Sequence, residues 1–339
     1  MRYVIIGAGA VGGVLGARLA QHGVGHPPVL IARGEHGAAI ARSGIRLRTP
    51  DEDVVLRVDT ADGPDGVTLG VDDVLVLTTK TQQAQFALEQ WVDAPVADAN
   101  GTTVGTAGEL LPLFTALNGV ESERLALRLF ARVYGVCVWL PSVQLEPGEI
   151  ILRIGPSSGT FIVGRYGQAT DGDGELLAAV AADWTAGTFA VNVVDDVMRW
   201  KYAKLLGNLG NAVQALVGAD QSFGAVAKRL RAEAETVYRA AGIRWADADE
   251  EAAWRGGAFD VRPVPGAPDE LGGSSWQSLA RGSGSIETDY LNGEIVLLAR
   301  AHGAAAPLNE RVQRLAREAA HRHAAQGSMT VPQLEALLG

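Results

Sequence analysis

Residues 3 to 23 read YVIIGAGAVGGVLGARLAQHG. Tyr3-Val-Ile-Ile is a short β-rich run that enters Gly7-Ala8-Gly9-Ala10-Val11-Gly12 and continues into an amphipathic helical pattern ending at Gly23. Strand, glycine turn and helix in that order make a dinucleotide-binding unit. Gly7 permits the tight turn, Gly9 lets the backbone approach a pyrophosphate, and Gly12 lets helix and strand pack closely, with the phosphates on the helix N-terminus. A GxGxxG alone is weak; its place between an apolar strand and an amphipathic helix makes it specific.

The pattern outward from this turn is that of an α/β sheet. Pro28 to Ala32 is the second strand, and Arg33 follows it. NAD-type folds carry an acid near this point for the ribose hydroxyls, whereas an Arg suits the 2′-phosphate of NADP. Arg33 therefore favours NADP, with Glu35 as the competing feature two residues on. Alternation over 42–58 predicts a hairpin or edge strands. Val74 to Thr78 is a buried strand running into Thr79-Lys80, and strand carboxyl ends face the ligand in such sheets. Lys80 is thus a cofactor candidate, its alternative being a plain surface lysine. Leu110 to Leu117 predicts another strand, ending in Asn118-Gly119, a turn pair that would also lie at the ligand end. A strand over 132–140, a hairpin of 149–154 with 160–164, a helix over 176–185 and a strand over 189–194 complete the expected N-terminal domain, residues 1–194.

From Asp195 the pattern becomes helical, and residues 195–339 form the expected second domain. Its first segment, DDVMRWKYAKLLGNLGNAVQALVG, reads as one long helix. At about 100° per residue, Lys204, Asn208 and Asn211 fall within roughly 60° of arc, opposite Leu205, Leu206, Leu209, Val213 and Leu216. Two short amides beside Gly207 and Gly210 are unlike a solvated face, and each glycine costs about 1 kcal/mol in a helix interior. The stripe reads as a pocket wall; the alternative is a packed helix whose amides satisfy buried carbonyls. Further helices are expected over 223–241, 275–280, 285–302 and 308–325, with a short one near the C-terminus. The 254–273 segment is an aperiodic loop, a lid or a disordered stretch. Ser274 is a candidate N-cap with Gln277 closing a capping box, and that helix start a candidate anion site.

Composition narrows the classes. At 339 residues two domains are expected, since single cores rarely exceed roughly 250 to 300 residues. The net charge of −10 argues against nucleic acid and anionic membrane surfaces. No apolar run approaches the ~18 residues of a membrane span, and the opening residues lack a signal-peptide pattern, so a cytoplasmic protein is expected. The single Cys137 sits in an apolar run and reads as a buried small hydrophobe, and no His/Cys/Asp cluster has metal spacing.

GAGAVG at 7 to 12, Arg33, Lys80, Asn118-Gly119, the segment around Lys204 and GGSSWQSLARGSGSIETDYLNGE at 272 to 294 together resemble the 2-dehydropantoate 2-reductases, or ketopantoate reductases. The resemblance implies an N-terminal Rossmann domain holding NADPH through Gly7, Ala8, Gly9, Ala10, Val11, Gly12, Arg33 and Lys80. It also implies an all-helical C-terminal domain like that of 6-phosphogluconate dehydrogenase. The implied activity is reduction of a small-molecule 2-oxo acid, 2-dehydropantoate first, and a homodimer is the assembly to consider. By matching position, Lys204 is the implied general acid. Asn118 is implied near nicotinamide and substrate, Asn208 and Ser275 at the substrate, and Glu287 in the cofactor and substrate region. Asn211 matches only approximately, because the family's amides follow the lysine by four and eight residues and Ala212 occupies the other register. Leu279 stands where well-known members carry an acid. Two rival readings share these residues: the same fold acting on another carbonyl or an imine, and a non-catalytic NADP(H)-binding protein.

Overall fold

The computed structural model describes residues 1–255, 260–268, 271–282 and 284–339. By their internal contacts these form two units, one of Met1–Met198 with Ala252–Ala267 and one of Arg199–Glu251 with Pro268–Gly339.

The first unit is built on an eight-stranded sheet in the spatial order 189–193, 159–166, 132–139, 112–115, 73–77, 2–6, 26–31, 59–61. The six strands from 59–61 to 132–139 are mutually parallel in the doubly wound order of a Rossmann sheet, while 159–166 runs antiparallel to 132–139 and carries 189–193 beside it. Strand 2–6 shows why it sits centrally. Its side chains alternate faces, so Tyr3 and Ile5 join the core beneath the helices Ala10–Gln21 and Asp173–Ala186, and Val4 and Ile6 the core beneath Thr81–Trp91. A strand buried on both faces needs an unbroken apolar run, which this one has. Cys137 is buried as expected.

Several elements differ from the sequence reading. The expected 149–154 and 160–164 hairpin does not form. Strand Glu149–Leu152 pairs in parallel with Ile45–Arg48 in a separate four-stranded sheet, where Glu149 meets Arg46 and Arg48 at 3.0 and 3.1 Å. Strand Gly159–Tyr166, apolar on both faces, belongs instead to the main sheet. The strand expected over 110–117 is shorter, Pro112–Thr115, and follows a helical turn Ala107–Leu110. Helices Gly34–Ser43 and Ala248–Arg255 and a small sheet of 69–70, 95–97 and 103–106 were not expected from periodicity.

The second unit is helical. Its opening segment is two helices, Val197–Asn208 (whose first two residues belong to the first unit) and Gly210–Val217, rather than one. They meet at Leu209, whose carbonyl accepts from Asn292 Nδ2 at 3.1 Å, between two glycines of weak helix propensity. The helix expected over 285–302 is likewise split, into a 3₁₀ turn Glu287–Tyr290 and a helix Asn292–Ala301, because Leu291 is non-helical (φ −115°, ψ −88°). Asn292 is the hub here. It also donates to Asn309 Oδ1 at 3.0 Å and accepts from Thr288, while Asn309 Nδ2 donates to the Leu230 carbonyl and to Glu233.

Residues 252–267 lie with the first unit, not with the helical half that follows the expected boundary at 194. Arg262 explains this: its backbone N–H donates to the Arg153 carbonyl at 2.8 Å and its guanidinium forks onto Asp51. Of the expected 254–273 loop, Trp254 and Arg255 end a helix, and residues 256–259 and 269–270 lie outside the described residues. Among the described residues no helix is long and apolar enough to cross a membrane.

Candidate functional site

In the first unit the order of strands reverses between 2–6 and 73–77, and the glycine turn leaves the sheet at that point. Gly7 has φ +110°, a conformation that requires glycine, and its N–H and that of Ala8 both donate to the Ile31 carbonyl at 3.1 Å. A Cβ on Gly12 would come within 2.1 Å of the Gly7 carbonyl oxygen, 2.4 Å of Thr78 Oγ1 and 2.8 Å of Ile5 Cγ2. Gly12 is therefore the close-packing glycine. Gly9 differs: it has ordinary extended backbone (φ −72°, ψ −158°), and an added Cβ would meet nothing within 4 Å. Among the described residues nothing demands glycine there, and the space a side chain would take is left open. Gly9 is also the N-cap of helix Ala10–Gln21 and offers no side-chain acceptor to its first amides, leaving them suited to phosphate.

The other candidates of this unit stand at the same sheet end. Arg33 is the extended N-cap of helix Gly34–Ser43, and its guanidinium lies over the Phe86 ring at 5.7 Å. Glu35 is exposed in the first turn of that helix. Lys80 is the N-cap of helix Thr81–Trp91, and Thr81 Oγ1 donates to the Asn118 carbonyl at 3.0 Å, which ties the Lys80 and Asn118 loops together. Gly119 completes the turn at φ +74°. Thr79 Oγ1 is buried without a hydrogen-bond partner among the described residues, at a strand end where a cofactor would supply one.

In the helical unit, Lys204 and Asn208 lie one turn apart on Val197–Asn208 and Asn211 on the next helix; all three are half-buried, whereas the leucines and Val213 opposite them are buried. The polar stripe survives the break at Leu209. A Cβ on Gly210 would stand 3.4 Å from Phe223 and 3.6 Å from Ala227, and Gly207 is exposed. Helix Ser274–Ala280 packs on Gly210–Val217. Its N-cap is Gly273, not Ser274, and Gln277 N–H donates to the Gly273 carbonyl, so the expected capping box is absent. Gly273 N–H donates to Gln214 Oε1 at 2.8 Å, and a Cβ there would stand 3.5 Å from Asn211 Oδ1. Asn211 and the start of the Ser275 helix are thus brought together. Ser275 is fully buried, yet its Oγ has no partner among the described residues. Leu279 is buried in the same helix, and Glu287 is buried at the start of its 3₁₀ turn.

Gln214 was missed in the sequence because, three residues after Asn211, it falls about 60° outside the arc of Lys204, Asn208 and Asn211. Thr79 and Phe86 were missed because a threonine and an exposed aromatic carry no signal without their neighbours.

A family model described as ketopantoate reductase PanE/ApbA matches residues 3–168, and one for the C-terminal part of ketopantoate reductase PanE/ApbA matches residues 196–320. A 2-dehydropantoate 2-reductase of Pyrococcus horikoshii is 26% identical over 319 residues, 91% of this chain and 94% of that protein. A PanE/ApbA family ketopantoate reductase structure from Ralstonia eutropha superposes with a TM-score of 0.73 at 27% identity, covering 95% of this chain and 99% of that one. The ternary structure of D-mandelate dehydrogenase with NADH and anilino(oxo)acetate shares the fold, with a TM-score of 0.75 at 21% identity over 95% of this chain and 99% of that one. With both halves matched by the same pair of models, the chain belongs to the ketopantoate reductase PanE/ApbA family.

Proposed function

We propose that the protein is an NADPH-dependent reductase of a 2-oxo acid, with 2-dehydropantoate as the leading substrate. Family membership supports the reaction class, and the residues support the chemistry. The glycine turn fits a dinucleotide: it is packed shut at Gly12, open at Gly9 and followed by a helix start whose first backbone N–H groups can donate to a phosphate. Arg33, exposed and cationic at the end of the second strand, suits a 2′-phosphate. NADPH held there would supply the hydride for the ketone carbon.

The helical unit supplies the rest. As negative charge develops on the carbonyl oxygen, the Lys204 ammonium stabilises it and donates the proton. Asn208, Asn211 and Ser275 hold the carboxylate and hydroxyl of the substrate without adding charge. The single observation that carries this reading is the buried, unpartnered Ser275 hydroxyl in the helix that packs against Asn211. A buried hydroxyl without a bond is costly, and a substrate oxygen would satisfy it.

The test is loss of NADPH absorbance with purified protein and a panel of 2-oxo acids that includes 2-dehydropantoate. Turnover on a member of the panel supports the reading. Tight NADPH binding with no turnover on any of them would favour a non-catalytic dinucleotide-binding protein.

A further inference from the structure

We propose that His36 is the positioning residue of the glycine turn, holding the Ala8–Gly9 peptide so that the Gly9 amide faces the cofactor diphosphate. The inference rests on the dinucleotide reading of the turn. His36 lies in helix Gly34–Ser43, and both nitrogens of its ring are engaged. The Gly148 backbone N–H donates to Nδ1 at 2.9 Å, so Nδ1 carries the lone pair. The proton of the neutral ring is then on Nε2, which lies 2.7 Å from the Ala8 carbonyl oxygen and donates to it. The tautomer is set by the partners on either side.

The consequence follows from peptide geometry. The Ala8 carbonyl and the Gly9 N–H belong to one planar trans unit and point in opposite directions. Drawing the carbonyl toward His36 turns the Gly9 N–H the other way. Without that hold, rotation of this peptide would present a carbonyl oxygen to an anionic ligand, and glycine at position 9 puts little steric resistance in its path. The anchor is firm, since Gly148 sits at φ +79°, and a Cβ there would be 3.0 Å from Ala39 Cβ on the helix that carries His36. The imidazole thus links the glycine turn to the start of strand Glu149–Leu152.

The experiment titrates NADPH by fluorescence against the parent, His36→Ala, His36→Gln and His36→Asn, with ADP, which keeps the diphosphate and lacks the 2′-phosphate and the nicotinamide half, as a competing second probe, and records a thermal midpoint for each protein. The Gln amide can occupy the place of Nε2 and donate to Ala8, whereas Asn reaches only the place of Nδ1. His36→Ala and His36→Asn are expected to weaken both ligands by about 10-fold or more, the size of one hydrogen bond to a charged group. His36→Gln is expected to recover most of that affinity. Equal affinity in Gln and Asn variants, or losses that merely follow the thermal midpoints, would overturn the assignment even if His36→Ala fails to fold. A parent that binds neither ligand would overturn the dinucleotide reading itself.

Discussion

A β-carbon placed on Gly12 would stand 2.4 Å from Thr78 Oγ1, and the Thr78 hydroxyl in turn donates to the Gly7 carbonyl at 2.5 Å. The first and third glycines of the turn are therefore fixed by the protein, and the second by what binds there. Gly12→Ala is expected to cost about 1–3 kcal/mol through overpacking. Gly9→Ala should leave the thermal midpoint within about 2 °C of the parent and weaken NADPH by about 10-fold or more. Melting curves and NADPH titrations on the two variants check this separation; matching profiles would contradict it.

Arg33 over Phe86 gives a second test. Arg33→Asp sets a like charge against a 2′-phosphate, so NADPH should weaken far more than NADH. Phe86→Ala should lose part of the same preference, about 2- to 5-fold, because an exposed cation–π contact of about 0.5–1 kcal/mol holds the guanidinium in place. Equal kcat/KM for the two cofactors in the parent would remove the basis for both.

The glycine turn could be located because its strand, turn and helix are contiguous, and the positions of Arg33, Lys80 and Asn118 because each lies two or three residues past the end of a strand. What stayed hidden depends on partners distant in sequence. Glu149 leaves its expected hairpin for Arg46 and Arg48, and Arg262 returns residues 252–267 to the first unit by pairing with Asp51. The helix break at Leu209 likewise comes with a donor from Asn292, distant in sequence, which the weak propensity of Gly207 and Gly210 does not by itself report. The polar stripe was readable despite that break because Leu209 keeps helical angles (φ −60°, ψ −27°), so the angular order of side chains is preserved.

Asn292 is expected to be a stability residue. Asn292→Leu leaves the Leu209 carbonyl and Asn309 Oδ1 without their donor in a buried setting, at about 1–3 kcal/mol for each group. A lower urea midpoint would show it. An unchanged midpoint would mean that neither bond contributes.

Acid stability should depend on Asp173. Burial pushes its carboxyl pKa up, but the Tyr134 hydroxyl, the Thr170 N–H and Arg165 outweigh it and hold the carboxyl below the usual carboxylate range. The same pair raises the Tyr134 hydroxyl to about 12, burial being the larger cause. A depressed folded value contributes stability above the unfolded pKa of about 3.9, and this is lost as pH falls through the folded value. Asp173→Asn should therefore be less stable than the parent at pH ~7, with the gap narrowing below pH ~4. Denaturant midpoints at the two pH values give the comparison, and a gap independent of pH would exclude the charge as its source.

The catalytic assignment is decided within one helix. Lys204 is half-buried on the polar stripe, whereas Lys201, three residues earlier, is 2% exposed. If Lys204 donates the proton, Lys204→Ala should leave NADPH affinity nearly unchanged, since the glycine turn and Arg33 supply most of it. Turnover should fall by about 100-fold or more, because general acid catalysis contributes about 10²- to 10⁴-fold and lost charge stabilisation adds to it. Asn208→Ala should act mainly through KM, as loss of a positioning contact does when the chemistry is preserved. The control must respect the burial of Lys201, so Lys201→Met, which keeps the stem and removes the charge, is preferable to alanine. It is expected to alter the thermal midpoint more than kcat. Should Lys201→Met abolish turnover in a folded protein while Lys204→Ala retains parent kcat on the substrate found in the panel, the proton comes from the wrong lysine in this reading and the helix must be assigned anew.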